Sequence, residues 1–180
     1  MRRAVLVITL CCALFALIIR SSRASHLAQT RKPATLCSQN ETIIFSCGMR
    51  KSTKILSLCG SKDLSSQKGY VQYRFGQPGK VELEYPTSRQ NTQSAFNYAR
   101  YTRPLVTYLA LRFETNGYKY SIHQDDVEDI KPVVRESYIN VTAPGKDAVE
   151  MKCSEPVIGG LMKLEDIVPN DEGDVPPTEP

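Results

Sequence analysis

The sequence predicts an all-β domain: a small antiparallel barrel or sandwich of about eight strands, with two disulfides and a short C-terminal helix. Three observations predict it. From residue 36 onward apolar residues recur with a period close to two, the signature of half-buried strands. The strands are separated by turn chemistry, above all Asn116-Gly117 and Gly76-Gln77-Pro78-Gly79, which suits hairpins. Four of the six cysteines, Cys37, Cys47, Cys59 and Cys153, lie in this body behind a segment that reads as an export signal. Small exported domains commonly staple themselves with disulfides.

Arg2 and Arg3 form a basic head, and residues 4–19 (AVLVITLCCALFALII) carry no charge. The run is shorter than the roughly 20 apolar residues of a spanning helix and suits a signal peptide. Ser22-Arg23-Ala24 puts small residues where a signal peptidase reads, so cleavage is expected after Ala24. Arg20 and Arg23 follow the run, where positive charge resists translocation, and an uncleaved anchor is the competing reading. Cys11 and Cys12 lack the small residue expected before an acylated cysteine and read as apolar filler. Removing residues 1–24 takes four arginines from the 23 basic residues and leaves 19 against 19 acidic ones. The formal charge of +4 then vanishes, and with it the basic excess that nucleic-acid binding requires. Residues 25–35 read as a mobile leader, 36–168 as the β domain, and the proline-rich, acidic stretch 169–180 as a disordered tail. The expected location is the periplasm or the extracellular space.

Element by element, 42–47 (TIIFSC) places Ile43, Phe45 and Cys47 on one face, and 54–59 (KILSLC) returns beside it after a polar turn. Segments 70–75 (YVQYRF) and 80–85 (KVELEY) flank the Gly-Gln-Pro-Gly loop. In the second, Val81, Leu83 and Tyr85 alternate with Glu82 and Glu84, the pattern of a sheet with one wet face. Segment 95–101 is ambiguous, with Phe96 and Tyr98 favouring a strand. Segments 105–114 and 118–122 form a hairpin about Asn116-Gly117, with Tyr118, Tyr120 and Ile122 on one face. Residues 124–137, acidic and then Lys131-Pro132, read as a loop. Segments 138–142 and 148–153 are the last strands, and 161–167 reads as a short helix.

Four cysteines allow three pairings. The register of the first hairpin places Cys47 opposite about Lys54 and Cys59 near the lead-in that holds Cys37. The expected pairs are therefore Cys37–Cys59 and Cys47–Cys153. Paired thiols serve neither as nucleophiles nor as metal ligands. No CxxC or HxxxH spacing occurs, so no structural zinc is expected. The acidic run 125–129 lacks the glycine-punctuated spacing of a calcium loop, and no cofactor is expected.

Catalysis finds little support. His123 is the one histidine of the expected β domain, and no Gly-x-Ser-x-Gly elbow accompanies it. A carboxylate pair drawn from Glu82, Glu84 or the acidic run would suit glycoside hydrolysis, but nothing singles out two of them. The densest candidate for a binding surface is 67–76 (QKGYVQYRFG). There Lys68, Gly69, Tyr70, Tyr73 and Arg74 combine a flexible entry with the residue types favoured at binding hot spots. The same pattern also reads as a strand with its tyrosine face in the core.

The Leu-Cys, Phe-Ser-Cys, Ser-Leu-Cys-x-Ser and Gly-Tyr-x-Gln-Tyr-Arg-Phe-Gly patterns of residues 36–85, with Asn116-Gly117-Tyr118 and Cys153, resemble an uncharacterised family of exported bacterial disulfide-containing β proteins. More loosely, the chain is similar to the periplasmic lysozyme inhibitors, which enter the lysozyme cleft with a Ser-Gly-x-x-Tyr motif. Lys68-Gly69-Tyr70-Val71-Gln72-Tyr73 is the nearest match. Lysine replaces the serine, and Tyr73 falls one residue too far. The resemblance implies a non-enzymatic exported binding protein that blocks a lysozyme-like cell-wall hydrolase, its partner in the cell envelope. The alternative is a structural or envelope-associated β domain without an enzyme target.

Overall fold

The computed structural model describes residues 35–171. The expected signal (1–24), leader residues 25–34 and tail residues 172–180 lie outside the described residues. The described chain holds nine strands: β1 Glu41–Met49, β2 Ile55–Ser61, β3 Val71–Gln77, β4 Lys80–Tyr85, β5 Asn97–Arg103, β6 Val106–Thr115, β7 Tyr118–Val127, β8 Val134–Thr142 and β9 Ala148–Gly159. About eight are expected from the sequence. All nine pair antiparallel with their neighbours, in the order β4-β3-β2-β1-β9-β8-β7-β6-β5.

No ladder joins β4 to β5 among the described residues, so the sheet is a curled half-barrel, neither a closed barrel nor a sandwich. Side chains bridge the gap instead. Tyr85 at the end of β4 stacks on Phe113 at 4.8 Å and meets the edge of Phe96 at 5.7 Å. The outer edge of β5 is partly guarded by the first residues of the expected tail. Tyr98 donates its N–H to the Pro169 carbonyl (2.8 Å), and Asp171 N–H donates to the Tyr98 carbonyl (2.6 Å). Occupying even one site on an edge blunts pairing with other chains.

Strand β9 turns the corner. Residues 148–152 pair with β8, and residues 153–159 pair with β1. The register slips between Gly48↔Ser154 and Ser46↔Ile158, a bulge around Pro156, which has no N–H to give a ladder. At its end Gly159 has φ +74°, and a Cβ there would lie 2.1 Å from the Ile44 carbonyl oxygen. Only glycine lets β9 and β1 approach so closely. Strand β1 carries its own register shift between Ile43 and Phe45. The extra residue turns Ile44 inward (2 % exposed) and leaves Ile43 half-buried, where strict alternation places Ile43 in the core.

The acidic stretch expected as a loop is largely strand. Strand β7 runs on to Val127, and β8 begins at Val134. With β6 on one side and β8 on the other, every residue to Val127 finds ladder partners, and that pairing outweighs the poor strand propensity of Asp125 and Asp126. The expected C-terminal helix is a 3-10 turn, Leu161–Leu164, followed by further turns. A short segment between Gly160 and Pro169 has little room for a helical nucleus. Its contribution is packing: Leu161 and Leu164 are fully buried and Val168 nearly so, and they join the core at one end of the half-barrel.

Both expected disulfides form, Cys37–Cys59 and Cys47–Cys153, with Cα separations of 5.4 and 5.6 Å. They lie on opposite faces of the sheet. Cys47 alternates with Phe45 and Met49 on the inner face, whereas Cys59 alternates with Ser57 on the outer face. The inner disulfide fastens β9 to β1. The outer one pins the lead-in, whose Leu36 N–H donates to Ser57 Oγ at 2.9 Å.

Candidate functional site

The five residues 68, 69, 70, 73 and 74 do not share a surface. Strand alternation sends Tyr73 inward, where it is 1 % exposed and packs against Phe113 (4.9 Å) and Tyr120 (6.0 Å). Arg74 points outward but is 4 % exposed beneath the lead-in. All five of its guanidinium hydrogens have acceptors: Glu84 (2.9 Å), Leu36 O (3.0 Å), both oxygens of Glu41 (2.7 and 2.8 Å) and Gln72 Oε1 (2.6 Å). Tyr70 donates its hydroxyl to Glu41 at 2.8 Å, and Ser38 N–H donates to the same carboxylate at 2.7 Å. Burial alone would raise the Glu41 pKa, but these donors outweigh it and hold the carboxyl at about 2. The cluster is a fully satisfied polar network that ties the lead-in to β1 and β3. Gly69 has φ +77° and a Cβ would meet Ser61 Oγ at 2.0 Å. Lys68 is exposed and Tyr70 half-exposed, and Arg89 lies over the Tyr70 ring at 6.0 Å. Only residues 68–70 therefore present themselves to a partner.

The inner face offers a different surface. Leu161, Leu164 and Val168 fill one end of the half-barrel, but near the start of β7 the inner face stays open. A cavity of about 540 Å³ there is lined by Tyr73, Phe75, Leu83, Tyr120, Val141 and Met151, with Tyr118 and Val149 at its mouth. Tyr118 is 41 % and Val149 61 % exposed. Phe113 and Tyr120 stack at 4.7 Å with parallel rings and buttress the floor. A second cavity of about 530 Å³ shares Phe75 and Met151 with the first and continues to the β1–β2 turn, past Met49, Arg50, Lys51, Lys54 and Lys152. The two adjoin at Phe75 and Met151 and together make a trough whose floor is apolar and whose β1–β2 end is basic; Glu82, Lys146 and Asp147 also line the first cavity. Its size and lining suit a small-molecule or side-chain ligand.

The outer face carries the third arrangement. Ser121, His123 and Asp125 alternate along β7 onto one side. Ser121 Oγ lies 2.7 Å from His123 Nε2, the His123 ring stacks on Tyr138 at 4.7 Å, and Tyr138 donates its hydroxyl to Asp125 at 3.0 Å. Burial, reinforced by the positive charge of Arg112, lowers the His123 pKa to about 4. Burial raises Asp125 to about 6 against the hydrogen bond from Tyr138, and its Oδ1 is buried without a partner. The row holds triad residue types without triad geometry. Asp125 bonds Tyr138 and not the imidazole, and a histidine titrating near 4 is a weak general base at neutral pH.

Three further acids that the sequence brings forward are ion-paired. Glu82 pairs with Lys54 (2.6 Å), Glu84 with Arg74, and Asp129 with Arg103 (2.6 Å). Among the described residues no group of three or more His, Cys, Asp or Glu side chains is arranged to hold a metal ion. Comparison with protein-family models, with curated proteins and with solved structures finds no match.

No local pattern in the sequence displays the trough, because its lining comes from six strands, β1, β3, β4, β7, β8 and β9. The legible signal is the one-sided row Tyr118, Tyr120, Ile122. What it does not reveal is that β3 and β4 face that row across the curled sheet.

Proposed function

We propose that this is an exported, non-enzymatic binding protein and that the inner trough is the surface that binds. The observation that carries the reading is Tyr118 and Val149, large apolar side chains left 41 % and 61 % exposed at the mouth of an aromatic-floored cavity. A concave site with an aromatic and aliphatic lining is the usual form of a ligand-binding surface. Two disulfides support an oxidising, extracytoplasmic setting. An environment-sensitive apolar dye tests the reading. Wild-type protein is expected to bind about one dye per chain, and a Tyr118→Asp/Val149→Asp variant to lose it with an unchanged melting temperature. No saturable binding by folded wild-type protein would overturn it.

A second reading follows from residues 68–70. The glycine-centred turn presents Lys68 and the half-exposed Tyr70 ring, and it supports a partner such as a lysozyme-like cell-wall hydrolase. The purified β domain should then slow lysis of a peptidoglycan substrate, and Lys68→Glu should weaken that inhibition. Absence of inhibition across lysozyme classes would end this reading.

A further inference from the structure

We propose that the trough takes a single-chain lipid with a carboxylate head, a fatty acid, with its chain along the apolar floor and its head at the β1–β2 turn. The proposal rests on the trough being the binding surface and names what it binds.

The shape argues for a chain. From Tyr120 on β7 to Met49 on β1 the trough crosses β8 and β9. Those are three inter-strand steps of about 4.8 Å each, roughly 14 Å in all. Phe75 and Met151 line both cavities, which adjoin there with Lys54 Nζ held 5.3 Å over the Phe75 ring by its pair with Glu82, and a flexible chain suits a Met- and aromatic-lined surface of this kind.

The charge argues for an anion at the β1–β2 end, since the other cavity sets Lys146 against Glu82 and Asp147. Four cations, Arg50, Lys51, Lys54 and Lys152, line the β1–β2 end with Glu150 as the one acid. Two of these cations are already held: Lys54 pairs with Glu82 at 2.6 Å, and Lys152 with Glu136 at 2.7 Å. Arg50 spends only its Nε, on the Cys153 carbonyl at 2.8 Å, which leaves its terminal nitrogens without a carboxylate among the described residues. Lys51 stands exposed at φ 57° in the turn with no acidic partner among them. A guanidinium and an ammonium that both line the end of an apolar surface match a carboxylate whose chain lies along that surface.

Displacement titrations with laurate, dodecanol and dodecyltrimethylammonium, all on the disulfide-intact protein, test this. Laurate is expected to bind about tenfold more tightly than dodecanol, a charge-assisted increment, and the cation to bind weakest. Lys51→Gln, an exposed turn position, should lower laurate affinity several-fold and leave dodecanol unchanged. Val149→Asp should weaken laurate and dodecanol alike. Equal affinity for laurate and dodecanol, with Val149→Asp still weakening both, would overturn the carboxylate proposal and leave the trough as a binding surface. Binding of none of the three would overturn both. A concentration-dependent dimer in sedimentation, abolished by Val149→Asp, would also overturn the proposal, because a second copy would then occupy the trough.

Discussion

Arg74 grips Glu41 through two hydrogen bonds, 2.7 and 2.8 Å long, between side chains that are 5 % and 2 % exposed. Removing Arg74 leaves the buried Glu41 carboxylate uncompensated, which costs about 3–5 kcal/mol, whereas removing Glu41 leaves Arg74 its pair with Glu84 at 2.9 Å. Arg74→Met should lose stability on that scale in urea unfolding, and Glu41→Gln less. The double variant should lose clearly less than the sum of the two, because it leaves no lone charge. Strict additivity would show that the pair is not a coupled unit.

The same carboxylate sets an acid limit. Glu41 is held at about 2 against an ordinary 4.5. Its contribution is present above pH 4.5 and is lost as pH falls towards 2. His123, lowered to about 4 from 6.5, removes stability earlier, between pH 6.5 and 4, because the unfolded chain takes up the proton first. Asp125 works in the opposite sense. Raised to about 6 from 3.8, it stays protonated in the fold while the unfolded chain ionises, so it costs stability as pH rises from 3.8 through 6. Asp125→Asn should therefore raise the unfolding midpoint at pH 7.5 and change it little at pH 3.5. A gain independent of pH would contradict the assignment.

The two disulfides should differ in weight. Cys47 and Cys153 are 106 residues apart, and Cys37 and Cys59 are 22 apart. In the chain-entropy model the long loop contributes roughly 4–5 kcal/mol and the short one roughly 3. Thermal unfolding of the Cys47→Ala/Cys153→Ala and Cys37→Ala/Cys59→Ala variants should rank them in that order. A larger loss from the outer pair would mean that anchoring the lead-in over Arg74 outweighs loop closure.

The strands and both disulfides were legible because period-two patterning, Asn116-Gly117 and cysteine placement are local signals. Ile44 was not, since a bulge changes which residue faces inward without altering composition. Asp125 and Asp126 are strand residues against their propensity, because both neighbouring strands pair with them. The contrast between Tyr73 and Arg74 was readable as alternation. That Arg74 would be covered depended on the lead-in, a contact 38 residues distant in sequence. The trough was least legible, since its lining is drawn from strands far apart in the chain.

We place binding on the inner face and not at residues 68–70. Backbone and methyl chemical shifts of labelled protein titrated with laurate test it most directly. The account predicts shifts concentrated at Phe75, Leu83, Tyr118, Val149 and Met151, with Arg50 and Lys51 at the head end. Shifts confined to Lys68, Gly69 and Tyr70, or none at saturating laurate, would contradict it.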